Sequence, residues 1–130
     1  MICVDSDCII DFIRGKKEAI FIIEDNRDSL VTTEINVFET FIGVYNKKIF
    51  LEKDENTYRE FFNSIEVLSM SRGCGKIAAK ILGDLSKKGQ IIGQNDGIII
   101  SIMKKNGINE IITRNRKHFS RVEGIKVISY

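Results

Sequence analysis

The chain opens Met1-Ile2-Cys3-Val4-Asp5-Ser6-Asp7-Cys8-Ile9-Ile10-Asp11-Phe12-Ile13-Arg14-Gly15. An unbroken apolar run ending at Asp5 predicts a short strand buried on both faces, as in a parallel sheet. Ser6 or Asp7 then caps an apolar helix that stops at Gly15. This puts Asp5 at the carboxyl end of a central strand, the edge where open α/β sheets bind ligands. Taken alone, Asp5 serves equally well as an ordinary turn residue.

The rest of the chain repeats the alternation. Residues 17–24 carry Ile20, Phe21 and Ile23 at helical spacing, Asn26-Arg27-Asp28 is a turn, and residues 29–32 read as a second strand. Thr33 caps a helix over 34–46, with Ile35, Val37, Phe38, Phe41, Ile42, Val44 and Tyr45 on one broad face. Glu39 lies at the edge of that face, either as a rim residue paired with a lysine or as part of a site, since an unpaired buried charge is costly. Asp54 is the expected cap of a helix carrying Tyr58, Phe61 and Phe62, and Glu66-Val67-Leu68 is a third strand candidate. A helix over 75–88 has one apolar stripe and a lysine-rich solvated face. Asn95 reads as the cap of a core helix rich in isoleucine, with Asp96 in its first turn, where the helix dipole favours an anion. Glu110-Ile111-Ile112-Thr113 is a strand running into the polar turn Arg114-Asn115-Arg116-Lys117, and Gly124 precedes a last strand over 125–128. The order predicts one domain over residues 1–130, an α/β/α sandwich around a mainly parallel sheet.

Composition narrows the class. The chain has 130 residues, 43% hydrophobic and 29% charged, which suits a folded globular protein. No apolar run is long enough to span a bilayer, and no basic segment precedes a signal-like core, so a cytoplasmic location is expected and no membrane partner. Cys3, Cys8 and Cys74 are odd in number and lack Cys-x-x-Cys spacing, which argues against a disulfide framework or a thiolate zinc site. The net charge of +2 does not by itself mark a nucleic-acid binder. Arg114, Arg116, Lys117 and Arg121 are nevertheless clustered, far in sequence from Asp54, Glu55, Glu60 and Glu66. His118 is the single histidine, which excludes a paired-histidine ribonuclease mechanism; it reads as an ordinary polar residue near the turn.

The pattern that matters is positional. Asp5 and Asn115 follow strands, Glu39 sits on the rim of a helix, and Asp96 opens another, so one sheet edge can gather all four. Gathered carboxylates repel unless a cation neutralises them. Oxygen ligands without a His or Cys set suit Mg²⁺ or Mn²⁺, and such sites handle phosphate esters. Arg14, Arg114 and Arg116 are expected to contact phosphates and set the strength of binding more than its sequence preference.

These residues resemble the PIN-domain nucleases, in particular the toxin ribonucleases of VapBC toxin–antitoxin pairs, over nearly the full length. The matching pieces are Asp5-Ser6-Asp7 before an apolar helix, Glu39 within Val37-Phe38-Glu39-Thr40-Phe41-Ile42-Gly43-Val44, Asn95-Asp96-Gly97, and Thr113-Arg114-Asn115-Arg116-Lys117-His118-Phe119. The resemblance implies a PIN-like fold and metal-dependent endoribonuclease activity on RNA. Asp5, Glu39 and Asp96 would be the metal acids and Asn115 the fourth catalytic position, with Ser6, Asp7 and Thr113 around them. It also implies a VapB-like antitoxin and a homodimer. Phe41, Tyr45, Phe61 and Phe62 hint independently at an exposed apolar patch for such a partner.

The sequence departs from the family pattern at Ser6 for Thr, Asp7 for Asn, Asn115 for a frequent Asp, and His118 where many members have a second Asp. With three carboxylates and an amide, one well-held metal and a weaker second one are expected. Two other readings stay open: a PIN-fold ribonuclease of RNA maturation or turnover without an antitoxin, and a non-catalytic module binding RNA or a partner. A receiver-like signalling domain would need a mid-chain strand-end acid and a late strand-end lysine, and neither is found.

Overall fold

A five-stranded, all-parallel sheet in the order β3-β2-β1-β4-β5 organises the computed structural model, which describes residues 1–130. The strands are β1 (Ile2–Val4), β2 (Leu30–Thr33), β3 (Glu66–Leu68), β4 (Glu110–Ile112) and β5 (Lys126–Ile128). The helices are α1 (Ser6–Ile13), α2 (Lys17–Asn26), α3 (Glu34–Tyr45), α4 (Glu52–Asn63), α5 (Cys74–Lys87), α6 (Gln94–Lys105) and α7 (Arg116–Phe119), with a short 3₁₀ turn over Arg27–Ser29. The mainly parallel α/β/α sandwich expected from the sequence is the observed one, and its weakest strand, Glu66–Leu68, is present at the β3 edge.

β1 is central because its side chains are apolar on both faces. Cys3 packs in a core with Ile99, Ile100 and Met103 of α6 and Phe119 of α7, whereas Val4 joins Ile9 of α1, Ile23 of α2 and Phe61 of α4 on the other face. Cys3 pairs with Val31 on one side and Ile111 on the other, so β1 is flanked by hydrogen-bonded neighbours as well. A strand enclosed in this way has one route to water, at its ends. Asp5 is the first residue past the carboxyl end, held by its own N–H to the Ile112 carbonyl at 3.0 Å.

Two close approaches fix the helices around that edge. The buried Thr32 hydroxyl donates to the Val4 carbonyl at 2.8 Å, tying β2 to the end of β1. Gly97 lets α6 lie directly on α5: a Cβ there would stand 2.8 Å from Leu82 Cγ, closer than packed carbons allow.

The expected caps shift. Asp5 caps α1, in place of Ser6 or Asp7, because it has the extended backbone that a cap requires and its Oδ1 accepts from Ser6 N at 2.9 Å. α6 starts at Gln94 after an extended Gly93, so Asn95 is already helical and its side chain is released for another task. α4 starts at Glu52, which leaves Asp54 in its first turn. The polar turn after β4 closes into the one-turn helix α7, anchored by the fully buried Phe119. Phe61 and Phe62 are core residues, not surplus aromatics.

Candidate active site

The carboxyl edge of β1, β2 and β4 brings together the side chains singled out by position. Asp5 is 5% exposed. Its Oδ1 takes the Ser6 N–H and its Oδ2 takes the Thr113 hydroxyl at 2.7 Å. Glu39, from the middle of α3, accepts from Ser6 Oγ at 3.0 Å on Oε1 and from Asn95 Nδ2 at 3.5 Å on Oε2. Asp96, in the first turn of α6, accepts on Oδ2 from Asn115 Nδ2 at 2.9 Å and contacts His118 Nδ1 at 2.7 Å. Ser6 therefore links the first two acids, Asn95 links the second to the helix of the third, and Asn115 turns its amide nitrogen to Asp96.

Two participants escape a reading of the sequence. Asn36 is fully buried; its Oδ1 accepts from Ser6 N at 3.1 Å and its Nδ2 donates to Thr33 Oγ1 at 3.0 Å. Its only sequence signal is a position one helical turn before Glu39. His118, read as an ordinary polar residue, instead projects from α7 onto Asp96; the turn's closure into a helix is what aims it.

Asp7 does different work from the acids beside it. Its Oδ2 accepts from Arg114 N at 2.9 Å and from Thr113 Oγ1 at 3.3 Å, so it caps the turn after β4. Its Oδ1 is buried without any hydrogen-bond partner. Arg114 is likewise committed, with Nε 3.1 Å from Asp11 Oδ2 and 4.0 Å from Asp7 Oδ2. Tyr130 OH donates to the same Asp11 oxygen at 2.7 Å. Arg116 is exposed at the start of α7. Arg14 follows the last residue of α1, roughly a 12 Å helix length from Asp5.

The electrostatics record the crowding. Burial, then repulsion by Asp7 and after it Glu39 and Asp96, raises the Asp5 pKa from 3.8 to about 8, with the Thr113 hydroxyl pulling the other way. Burial raises Glu39 too; Asp96 and Asp7 add to it while Ser6 and Asn95 oppose. Burial also raises Asp7, opposed chiefly by the hydrogen bond from Arg114 N. Carboxylates that disfavour one another's charge are the environment a cation relieves.

As the side chains stand, no three His, Cys, Asp or Glu residues converge closely enough to enclose one metal ion, because each acid is turned toward a protein donor. The donor set still fits a hard divalent cation in kind: all-oxygen ligands, mutual repulsion to be neutralised, and an orphaned buried carboxylate oxygen alongside.

Residues 2–125 match the PIN domain family model. The chain belongs to the PIN domain family. Its members are nucleases, which makes this PIN domain a hydrolase by class. Solved structures agree on the fold. VapBC2 from Rickettsia felis, bound to a DNA fragment from its promoter, is 22% identical with a TM-score of 0.87, over 100% of this chain and 99% of that one. VapBC-1 from nontypeable Haemophilus influenzae is 22% identical with a TM-score of 0.83, over 99% and 98%. VapC20 from Mycobacterium tuberculosis, a Sarcin-Ricin loop cleaving toxin, is 14% identical with a TM-score of 0.62, over 85% and 87%. A comparison with curated protein sequences found no match. No helix of this PIN domain is long and apolar enough to cross a membrane.

Proposed function

We propose that this PIN domain, a single domain over residues 1–130, is a divalent-metal-dependent endoribonuclease that hydrolyses RNA phosphodiester bonds. The observation that carries the reading is Asp5, buried at the strand end, its acidity suppressed first by that burial and then by three neighbouring carboxylates. Asp5, Glu39 and Asp96 would hold Mg²⁺ or Mn²⁺. When bound, the ion supplies charge neutralisation, an acidified water and stabilisation of the leaving oxygen.

The chain's own residues do the positioning. Thr113 and Ser6 fix Asp5, and Ser6 with Asn95 fixes Glu39, so that the acids are aimed before substrate arrives. Asn115 stays at the catalytic edge through its bond to Asp96. Arg116 is the cation beside the site with its guanidinium free of an ion pair, and it draws in the RNA backbone. Arg114 holds the turn instead, and Arg14 serves RNA only beyond the reacting bond.

The same reading makes the protein the toxin of a type II pair, working in the cytoplasm, homodimeric, and restrained by a VapB-like antitoxin. Support comes from neighbours of the same fold that are VapBC complexes, and from an apolar surface at the end of α3 and the segment after it. There Tyr45, Ile49, Phe50 and Leu51 are exposed, with Tyr45 stacked on Phe50 at 5.8 Å.

The test is incubation of the purified protein with labelled single-stranded RNA while Mn²⁺ or Mg²⁺ is titrated, then chelation with EDTA. Metal-dependent internal cleavage that EDTA abolishes is expected. Cleavage at full rate in EDTA contradicts the proposal.

A further inference from the structure

The three acids are not held alike. Asp5 and Glu39 each spread their protein bonds over both carboxylate oxygens. Asp96 receives both of its contacts on Oδ2, from Asn115 Nδ2 at 2.9 Å and His118 Nδ1 at 2.7 Å, and Oδ1 has no protein partner. Nδ1 lies 3.4 Å from the Gly93 N–H, 3.0 Å from Asn115 Nδ2 and 2.7 Å from Asp96 Oδ2; the shortest of the three is to an ionised carboxylate, which only accepts, and it assigns the ring proton to Nδ1.

The seat of the imidazole is close-fitting. A Cβ on Gly93 would stand 3.3 Å from Asp96 Oδ2 and 4.0 Å from His118 Nδ1, so the backbone of Gly93 covers the pair directly. From below, the buried Phe119 fixes α7 and with it the direction of its neighbour His118.

We propose that His118 is a positioning residue for Asp96: by donating from Nδ1 to Oδ2, it keeps Oδ1 as the carboxylate oxygen that takes the divalent cation. This rests on the reading above that Asp96 is a metal ligand. Hydrogen-bonding partners of ligating carboxylates set ligand direction, and losing one typically weakens metal binding about 10–100-fold.

Calorimetric titration of Mn²⁺ into the intact protein, without RNA, tests this in four forms: wild type, Asp96→Asn, His118→Ala and His118→Asn. His118 is one-third exposed, and thermal melting confirms that each variant folds. Asp96→Asn should weaken Mn²⁺ strongly, and His118→Ala by about 10–100-fold. His118→Asn, whose amide nitrogen can take the place of Nδ1, should recover most of that loss. If Asp96→Asn weakens Mn²⁺ and His118→Ala does not, the positioning role is overturned and the site reading stands. Equal losses in both His118 variants, or tighter binding in His118→Ala, also overturn it. Unchanged affinity in Asp96→Asn removes the site reading and this inference together.

Discussion

Thr113 and Asp5 are 108 residues apart in sequence, and the Thr113 hydroxyl donates to Asp5 Oδ2 at 2.7 Å. The bond exists because β4 lies directly beside β1, with Val4 opposite Ile112, so the residues that follow each strand emerge together. It is the contact that joins the beginning of the chain to the turn after β4, and it counteracts the burial that otherwise suppresses the charge on Asp5.

The raised pKa of Asp5 has a consequence for stability. Between pH 3.8 and about 8 the folded, metal-free protein keeps a proton that the unfolded chain releases. The unfolded state then binds fewer protons, so stability falls as pH rises through that window. Melting in EDTA should show this decline, and Asp5→Asn should flatten it and raise the melting temperature at pH 8.5. A gain of ~1 kcal/mol would appear as roughly 3–6 °C for a domain of this size. A wild type that melts higher at pH 8.5 than at pH 5 would contradict the assignment.

Asp7 is placed to hold the turn after β4, and that role needs an acceptor more than a charge. Asp7→Asn keeps an oxygen for Arg114 N and also removes a carboxylate that repels Asp5, so the fold should be retained. Asp7→Ala loses the cap and should cost about 1–2 kcal/mol, as lost capping groups do. Denaturant melts compare the two, and equal stabilities would refute the capping role.

The arginines divide by what they already touch. Arg114→Ala should lower stability, since Asp11, only 10% exposed, loses its nearest cation, and should leave the salt dependence of RNA binding nearly unchanged. Arg116→Ala should weaken RNA binding across sequences and reduce the slope of affinity against salt by about one. Binding to a non-cleaved RNA at several salt concentrations separates them. A lowered slope in Arg114→Ala alone would reverse the assignment.

Asn115→Asp puts a second carboxylate where an amide nitrogen now sits 2.9 Å from Asp96 Oδ2. In EDTA at neutral pH the variant should melt lower than wild type, and Mn²⁺ should offset the loss because the added charge is then neutralised. Melting with and without Mn²⁺ checks both. A variant as stable as wild type in EDTA would show that the amide makes no such bond.

Much of this was legible in the chain because backbone rules carried it. The run Ile2-Cys3-Val4 can be satisfied only by burial on both faces, and that alone puts Asp5 at a strand end. Asp96 was readable from its place in the first turn of an isoleucine-rich helix. His118 was not, because its aim depends on Arg116–Phe119 closing into α7 and on a bare Gly93 opposite, both tertiary facts. Asn36 was hidden for a related reason: a polar side chain on a helix reads as solvent-facing unless its buried partner, here Ser6 N, is known. The count of aromatics suggested an exposed patch but could not say which side chains form it. Phe61 and Phe62 went inward, while Ile49, Phe50 and Leu51 remain outside.

The most direct test of the central claim is the rate of RNA cleavage at saturating Mn²⁺ for wild type and for Asp5→Asn, Glu39→Gln and Asp96→Asn, each confirmed folded by melting. Each amide keeps the shape of its acid and removes a ligand charge. The structure predicts a loss on the order of 10²-fold or more for each one, because metal and positioning supply most of the barrier reduction. Wild-type cleavage rates in all three variants would contradict it.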